Sequence, residues 1–311
     1  MTATKNNTYH TPVLLQPCME GLNIKPNGIY VDVTFGGGGH SREIFKHLSA
    51  EGKLVSFDQD ADAAKNVWQA ENFIFVPANF SFLKNHLRAN GIQKVDGILA
   101  DLGVSSFQFD EEGKRGFSIR FNDPLDMRMN QNQQLTAKQI VNTYAEEDLA
   151  VILGKYGEVE KPMKIAVAIV KSREEKKLQT TFDLIDTIRR FAPKNKEQKF
   201  LAQVFQAIRI AVNDEMHVLE RFLLQTEEIL NPGGRLVVMS YHSLEDRLVK
   251  NYIKRGNFEG KVEKDFFGNI LKPFDEINRK PIVPNEEELV SNPRSRSAKL
   301  RIAERNEQVR K

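Results

Sequence analysis

Residues Ile29 to Ser41 read Ile-Tyr-Val-Asp-Val-Thr-Phe-Gly-Gly-Gly-Gly-His-Ser, and no other stretch limits the fold as sharply. A short β-branched and aromatic run enters a bend of glycines, Gly36 to Gly39, and a helix pattern opens at Ser41-Arg42-Glu43-Ile44-Phe45. Without Cβ atoms the bend can take positive φ and lie against a ligand. A strand feeding such a loop into a helix is the cofactor-binding corner of a doubly wound α/β sheet. The strict G-x-G-x-x-G spacing fails, because its last position falls on Ser41. A glycine-rich turn with no ligand is the plain alternative.

The rest of the first third supports the sheet. Lys53 to Asp58, Phe73 to Val76 and Asp96 to Asp101 read as further strands, with helix patterns at Asp60 to Ala70 and Phe80 to Ala89. This alternation with short connections predicts a parallel sheet. The rhythm stops at Leu102. Phe107, Phe109, Phe117 and Phe121 lie among Arg115, Arg120 and Arg128 up to Asn132, and Thr136-Ala-Lys-Gln139 is a capping box. The helix it opens carries apolar residues as far as Leu153, and more helices are expected over 164–177, 181–191 and 199–212. The sheet resumes after Asp214, with a helix to Leu230, a strand Arg235 to Ser240, a helix from Ser243 and a last strand over Ala298 to Ala303; 256–288 reads as loop. The expected organisation is an α/β Rossmann-like sheet domain made of 1–104 and 211–311, interrupted by a mostly helical insertion, 105–210.

Composition narrows the function classes. The formal charge is only +3, but seven Lys/Arg against two Glu between Pro293 and Lys311 give that tail a local excess of +5. A single cysteine, Cys18, excludes an intrachain disulfide framework and fits a reducing compartment. No secretory signal or bilayer-length apolar run is visible, and the six scattered histidines show no metal-ligand spacing. A cytoplasmic protein with no metal and no membrane contact is expected, and a homodimer is left open.

Two cofactors suit a glycine loop followed about twenty residues later by an acid, Asp58, placed for ribose hydroxyls. A nicotinamide dinucleotide needs its pyrophosphate on the helix N-terminus, where Asp32, just before the glycines, would repel it. S-adenosylmethionine, a zwitterion with a sulfonium, tolerates that carboxylate, so methyl transfer is favoured. Asp32 can equally be a core acid satisfied by the loop. Asp101, at the end of the fourth strand, should face the same crevice, where a carboxylate can orient a base amine and draw off its developing charge. Its alternative is an Asx turn before Gly103.

Several stretches, in order along nearly the whole chain, identify it as resembling the bacterial MraW/RsmH family. They are Tyr9-His-Thr-Pro-Val-Leu-Leu15, Val33-Thr-Phe-Gly-Gly-Gly-Gly-His-Ser41, Asp96-Gly-Ile-Leu-Ala-Asp-Leu-Gly-Val-Ser-Ser106, Arg115-Gly-Phe-Ser118, Pro124-Leu-Asp-Met-Arg-Met129, Phe205-Gln-Ala-Ile-Arg-Ile210, Val212-Asn-Asp-Glu215, Ser240-Tyr-His-Ser-Leu-Glu-Asp-Arg247 and Asn292-Pro-Arg-Ser-Arg-Ser297. The resemblance implies a class I methyltransferase fold and S-adenosylmethionine-dependent methylation of a cytosine N4 amine in 16S ribosomal RNA, within the small ribosomal subunit. It implies that Gly38, Gly39, His40, Asp58, Phe80, Asp101 and Gln108 bind the cofactor, and that the insertion faces RNA. The chain departs from the family pattern at Phe107, which stands where proline is usual. It also lacks an arginine expected after Glu158 and another before Phe205.

Beside Asp101, His242 at a strand end is a catalytic candidate, with scaffolding as its alternative. Phe117, Phe121 and Arg128 are candidates for stacking bases or clamping phosphate, and the aromatics can equally seat a long loop on the core. Arg294 and Arg296 are candidate phosphate contacts. A nicotinamide-dependent oxidoreductase and a catalytically silent RNA-binding factor are the rival functions.

Overall fold

Residues 12–104 and 114–307 are described by the structure, a computed structural model. The chain divides into two compact units, Met1–Gly103 with His217–Lys311, and Val104–Met216. The first is built on a seven-stranded sheet of order β3-β2-β1-β4-β5-β7-β6. Its strands are β1 (Ile29–Asp32), β2 (Lys53–Phe57), β3 (Phe73–Val76), β4 (Val95–Asp101), β5 (Leu230–Ser240), β6 (Phe274–Glu276) and β7 (Lys299–Arg305). β1 to β5 run parallel, with Val31 opposite Val55 and Ile98, and Ile98 opposite Leu236. β7 is antiparallel to both β5 and β6. This is the Rossmann-like class I methyltransferase arrangement expected from the resemblance.

The central strands are apolar on both faces. Val31, Val55, Ile98 and Leu99 are fully buried, as parallel strands covered on two sides must be. Strand order reverses between β1 and β4, so a crevice opens at their carboxyl ends, the place where such sheets bind ligands. The acids Asp32, Asp58 and Asp101 all stand at this edge, ending or directly following β1, β2 and β4.

The second unit is helical: Ala137–Thr143, Glu146–Gly157, Pro162–Glu175, Thr181–Ile188 and Glu197–Asn213. Ile140, Leu153, Ile165, Ile169, Leu184, Val204 and Ile208 form its core. Capping boxes open two of the helices, Thr136 with Gln139 and Thr180 with Asp183. A clasp holds its first loop to its last helix. Buried Asn213 accepts the Met129 N–H at 2.8 Å and donates to the Met127 carbonyl at 2.7 Å, and Gln133 donates to the Val212 carbonyl at 2.9 Å.

Several sequence expectations are corrected. The helix after the glycines begins at Gly39, two residues before Ser41. Asp60 to Ala70 is not a helix but one short 3-10 turn, Ala63–Asn66. Asp58 and Asp60 draw the N–H groups of Asp60 and Asp62 onto their side chains, at 2.8 and 3.1 Å, which competes with helical bonding. The helix from Thr136 breaks at Tyr144 and Ala145, both extended, and a second begins with Glu146, Glu147 and Asp148, acids suited to its N-terminus. β5 starts earlier than expected, at Leu230, with its register against β4 shifted between Val95 and Gly97. The loop 256–288 hides β6.

Truncating Asn213 to Ala would remove its bonds to Met127 and Met129 and leave the buried Met127 carbonyl without this donor, a loss of about 1–3 kcal/mol. Urea unfolding should read that loss, and hydrogen exchange should speed up over residues 127–133. Unchanged exchange there would refute the clasp.

Candidate functional site

The glycine corner is held by side chains that the sheet brings to it. Asp32 is 1% exposed. Its Oδ1 accepts the Thr34 N–H at 3.0 Å, and its Oδ2 accepts the Ser41 hydroxyl at 2.5 Å, which in turn contacts Ser56 Oγ at 2.8 Å. Burial pushes its carboxyl above the ordinary carboxylate range, against the hydrogen bond from Ser41. Asp32 is therefore the core acid of the two alternatives, tying β1, β2 and the first turn of the helix together.

Asp58 acts on the loop from the other side. Its Oδ2 accepts the Gly36 N–H at 2.7 Å, while Asn66 donates to the Gly36 carbonyl at 3.1 Å. Gly36 and Gly38 adopt φ of +50° and +77°, which other residues take only under strain. The four glycines are not equivalent. A Cβ on Gly39 would lie 2.4 Å from the Pro12 ring, and one on Gly38 2.9 Å from Phe35. One on Gly37 would meet nothing within 4 Å. The backbone that fronts open space is at Gly37, outside the expected pair Gly38 and Gly39, which Phe35 and Pro12 crowd.

At the tip of β4, Asp101 makes no Asx turn among the described residues. Its N–H donates to Thr34 Oγ1 at 2.7 Å, and its Oδ1 accepts the Tyr241 hydroxyl at 2.8 Å. Oδ2 lies 3.7 Å from His40 Nδ1, too far for a hydrogen bond, and accepts none among the described residues. His40 is 7% exposed and contacts the Val13 carbonyl through Nε2 at 3.0 Å, which orients Nδ1 toward Asp101. Burial raises Asp101 to about 6, although His40 and Tyr241 pull it down. Asp58 is likewise pushed up to about 6, by burial first, against the N–H bonds of Asp60 and Gly36.

Tyr241 escaped the sequence analysis. It lies just past β5, and its relation to Asp101 follows only from the register that sets Asp101 opposite Met239, two residues earlier. The paired period of the strand was the one available signal.

Other candidates stand as follows. Phe80 is half-buried, its ring edge-on to Phe222 at 5.3 Å, and Asn79 beside it donates to Gln59, next to Asp58, at 2.8 Å. Gln108, with Phe107, lies outside the described residues. His242 is the N-cap of the helix Ser243–Arg255: its Nδ1 accepts the Glu245 N–H at 3.4 Å, and Glu245 returns bonds to Tyr241 and His242. That capping gives the residue a structural role, while its buried Nε2 lies 3.2 Å from Glu245 Oε1 and makes no hydrogen bond among the described residues. Phe117 is a correction, since at 6% exposure it packs in the helical unit's core and presents no ring for stacking.

Arg128 is a second correction. Its guanidinium is committed to both Asp126 oxygens at 2.8 and 2.7 Å and to the carbonyls of Gln131 and Gln133. Burial pulls the Asp126 carboxyl up, but the Arg128 bonds outweigh it and hold it below its ordinary value. Both residues seat the loop. Arg294 and Arg296 are exposed on the turn Pro293–Ser297, where a phosphate can reach them.

Known proteins match this chain over most of its length. A model of the MraW methylase family matches residues 7–306. A ribosomal RNA small subunit methyltransferase H of Parabacteroides distasonis is 58% identical, covering 97% of this chain and 99% of its own. Proteins of the same name from Cytophaga hutchinsonii and Flavobacterium johnsoniae are 55% and 54% identical, covering 96% and 98% of this chain and 99% and 100% of their own.

The raised carboxyls of Asp58 and Asp101 have a consequence for stability. Between the unfolded value near 4 and about 6, the folded chain holds protons that the unfolded chain has released. Their contribution therefore falls as pH rises through that window. The slope of Tm against pH should flatten in Asp58→Asn, and an unaltered slope would show that Asp58 titrates normally.

Proposed function

This chain belongs to the MraW methylase family, and we propose that it transfers the methyl group of S-adenosylmethionine to the N4 amine of a cytidine in 16S ribosomal RNA. The observation that carries the reading is the Asp101 carboxylate at the ligand edge of the sheet, with one oxygen held by Tyr241 and the other without a hydrogen-bond donor among the described residues. The names of the relatives, small-subunit ribosomal RNA methyltransferases, support the polymer and the reaction class. The fine choices of cytosine N4 and presentation within the small ribosomal subunit come from the resemblance, and the cytoplasmic setting from the single cysteine, Cys18. No helix among the described residues is long and apolar enough to cross a membrane.

The corner fits the cofactor. Gly37 fronts open space where a ligand can lie on the backbone. Since Asp32 is sealed inside, Asp58 and Asp101 supply the negative potential, which suits a cationic donor and opposes a pyrophosphate. The Gly37 backbone and His40 would hold the amino-acid end, Asp58 the ribose hydroxyls and Phe80 the adenine. When bound, S-adenosylmethionine supplies a sulfonium methyl as the electrophile.

Asp101 does the chain's part of the chemistry. Its open oxygen accepts an N–H of the cytosine amine, fixing the nitrogen so that its lone pair points at the methyl carbon. As the N–C bond forms, the C–S electron pair stays with sulfur, and the nitrogen sheds one proton to Asp101 or through it to water. Exposed Arg294 and Arg296 would contact RNA phosphates. The helical unit would serve as the RNA-recognition domain.

Undermethylated small subunits incubated with labelled S-adenosylmethionine should gain one methyl, located by mass spectrometry on a cytosine N4. Cofactor binding without transfer would overturn the reading. Asp101→Asn should lower turnover by about 10²–10⁴-fold, and wild-type kcat/KM should decline as pH falls through about 6, where Asp101 takes up its proton. Gly37→Ala should leave Tm unchanged and weaken cofactor binding roughly tenfold or more by calorimetry; undiminished affinity would place the cofactor elsewhere.

A further inference from the structure

The hydroxyl of Tyr241 has no part in the fold that a phenylalanine could not fill. Its backbone N–H donates to Glu245 Oε2 at 2.9 Å, within the capping box of the next helix. Its ring lies over Gly103, where a Cβ would come within 3.4 Å of it. The hydroxyl alone goes elsewhere, to Asp101 Oδ1 at 2.8 Å. Because the N-cap and the ring contact fix the residue independently, the phenol is aimed before any ligand arrives.

We propose that Tyr241 is a positioning residue: its hydroxyl holds the Asp101 carboxylate in the ionised, amine-facing orientation and so sets the acid limit of methyl transfer. The inference rests on the reading of Asp101 as the acceptor of the substrate amine.

The groups around Asp101 make the phenol's part separable. His40 Nδ1 faces it from the helix Gly39–Lys46. Asp32 acts from the end of β1, Glu245 from the helix Ser243–Arg255, and Cys18 is coupled to it from the helix Leu15–Leu22. Asp32 and Glu245 raise the Asp101 carboxyl, while His40 and the Tyr241 hydrogen bond lower it, all against a larger push upward from burial. Burial, with the charge of Asp101 second, pushes the Tyr241 phenol up, and burial does the same to the Cys18 thiol. Both stay protonated across the working range, so the tyrosine is a constant donor and the cysteine adds no charge. A donor to the ionised form favours it, and losing that donor must move the carboxyl upward.

The test is the pH profile of kcat/KM for methyl transfer to undermethylated small subunits, for wild type, Tyr241→Phe and Asp101→Asn. Tyr241→Phe should shift the acid limb upward by roughly half to one pH unit, so that its deficit at pH 6 exceeds that at pH 8 about twofold to fivefold. Replacing Tyr241 by 3-fluorotyrosine, a stronger donor of nearly the same shape, should shift the limb the opposite way. That substitution also stands in should Tyr241→Phe fail to fold. A profile superposable on wild type, or a uniform loss with an unmoved midpoint, would reduce Tyr241 to packing and overturn the inference. Full activity in Asp101→Asn would instead overturn the role of Asp101 itself, so the two failures are distinguishable.

Discussion

Asp32 divides its two oxygens between segments that would otherwise be independent. One oxygen holds Thr34, whose hydroxyl receives the N–H of Asp101 on β4, and the other holds Ser41 on the first turn of the helix. Ser56 of β2 joins through Ser41. A carboxylate this deeply buried is tolerable only because several donors converge on it, and hydrogen bonds to a charged group are each worth about 1.5–3 kcal/mol. The same bonds fix how far the glycine bend can move. The loop then keeps its shape without side chains of its own, which leaves one stretch of bare backbone facing outward at Gly37.

Holding acids at neighbouring strand tips has an electrostatic cost. Asp32, Asp58 and Asp101 are all pushed upward by burial first, and Asp32 adds to the push on the other two. The crevice without a ligand is thus a region of unfavourable like charge in low dielectric. A positively charged ligand relieves that repulsion while neutral or anionic compounds do not. Selectivity for a cation is in this way written into the same residues that shape the loop.

Much of this was legible because it is local. The strand rhythm from Ile29 to Asp101, the acids at strand ends and the capping box at Thr136 each declare themselves within a few residues. What escaped depends on contacts distant in sequence. Tyr241 meets Asp101 only through strand register, and the crowding that sets Gly38 and Gly39 apart from Gly37 comes from Phe35 and Pro12. Phe117 is a stacking candidate in sequence because nothing local shows that it is buried; Arg128 is the exception, since Asp126 stands only two residues away, but that spacing fits two solvated side chains equally well. The Asp60 to Ala70 helix failed for a subtler reason. Its apolar spacing was helical, but its aspartates satisfied the backbone first, and Trp68 instead stacked on Phe73 with centroids 3.9 Å apart.

The Asn213 clasp bears on how such a chain can assemble. β4 and β5 are paired neighbours in the sheet, yet the whole helical unit intervenes between them in sequence. Closing a long floppy segment slows the search for a partner strand, whereas compact helical units of mostly local contacts fold quickly. Once Asn213 and Gln133 bind the unit's entry loop to its exit helix, the separation that matters is no longer the number of intervening residues. To the nascent sheet, the clasped part then counts as one tied-off loop, and the span left between β4 and β5 is that of the two flanking segments, 102–126 and 214–229.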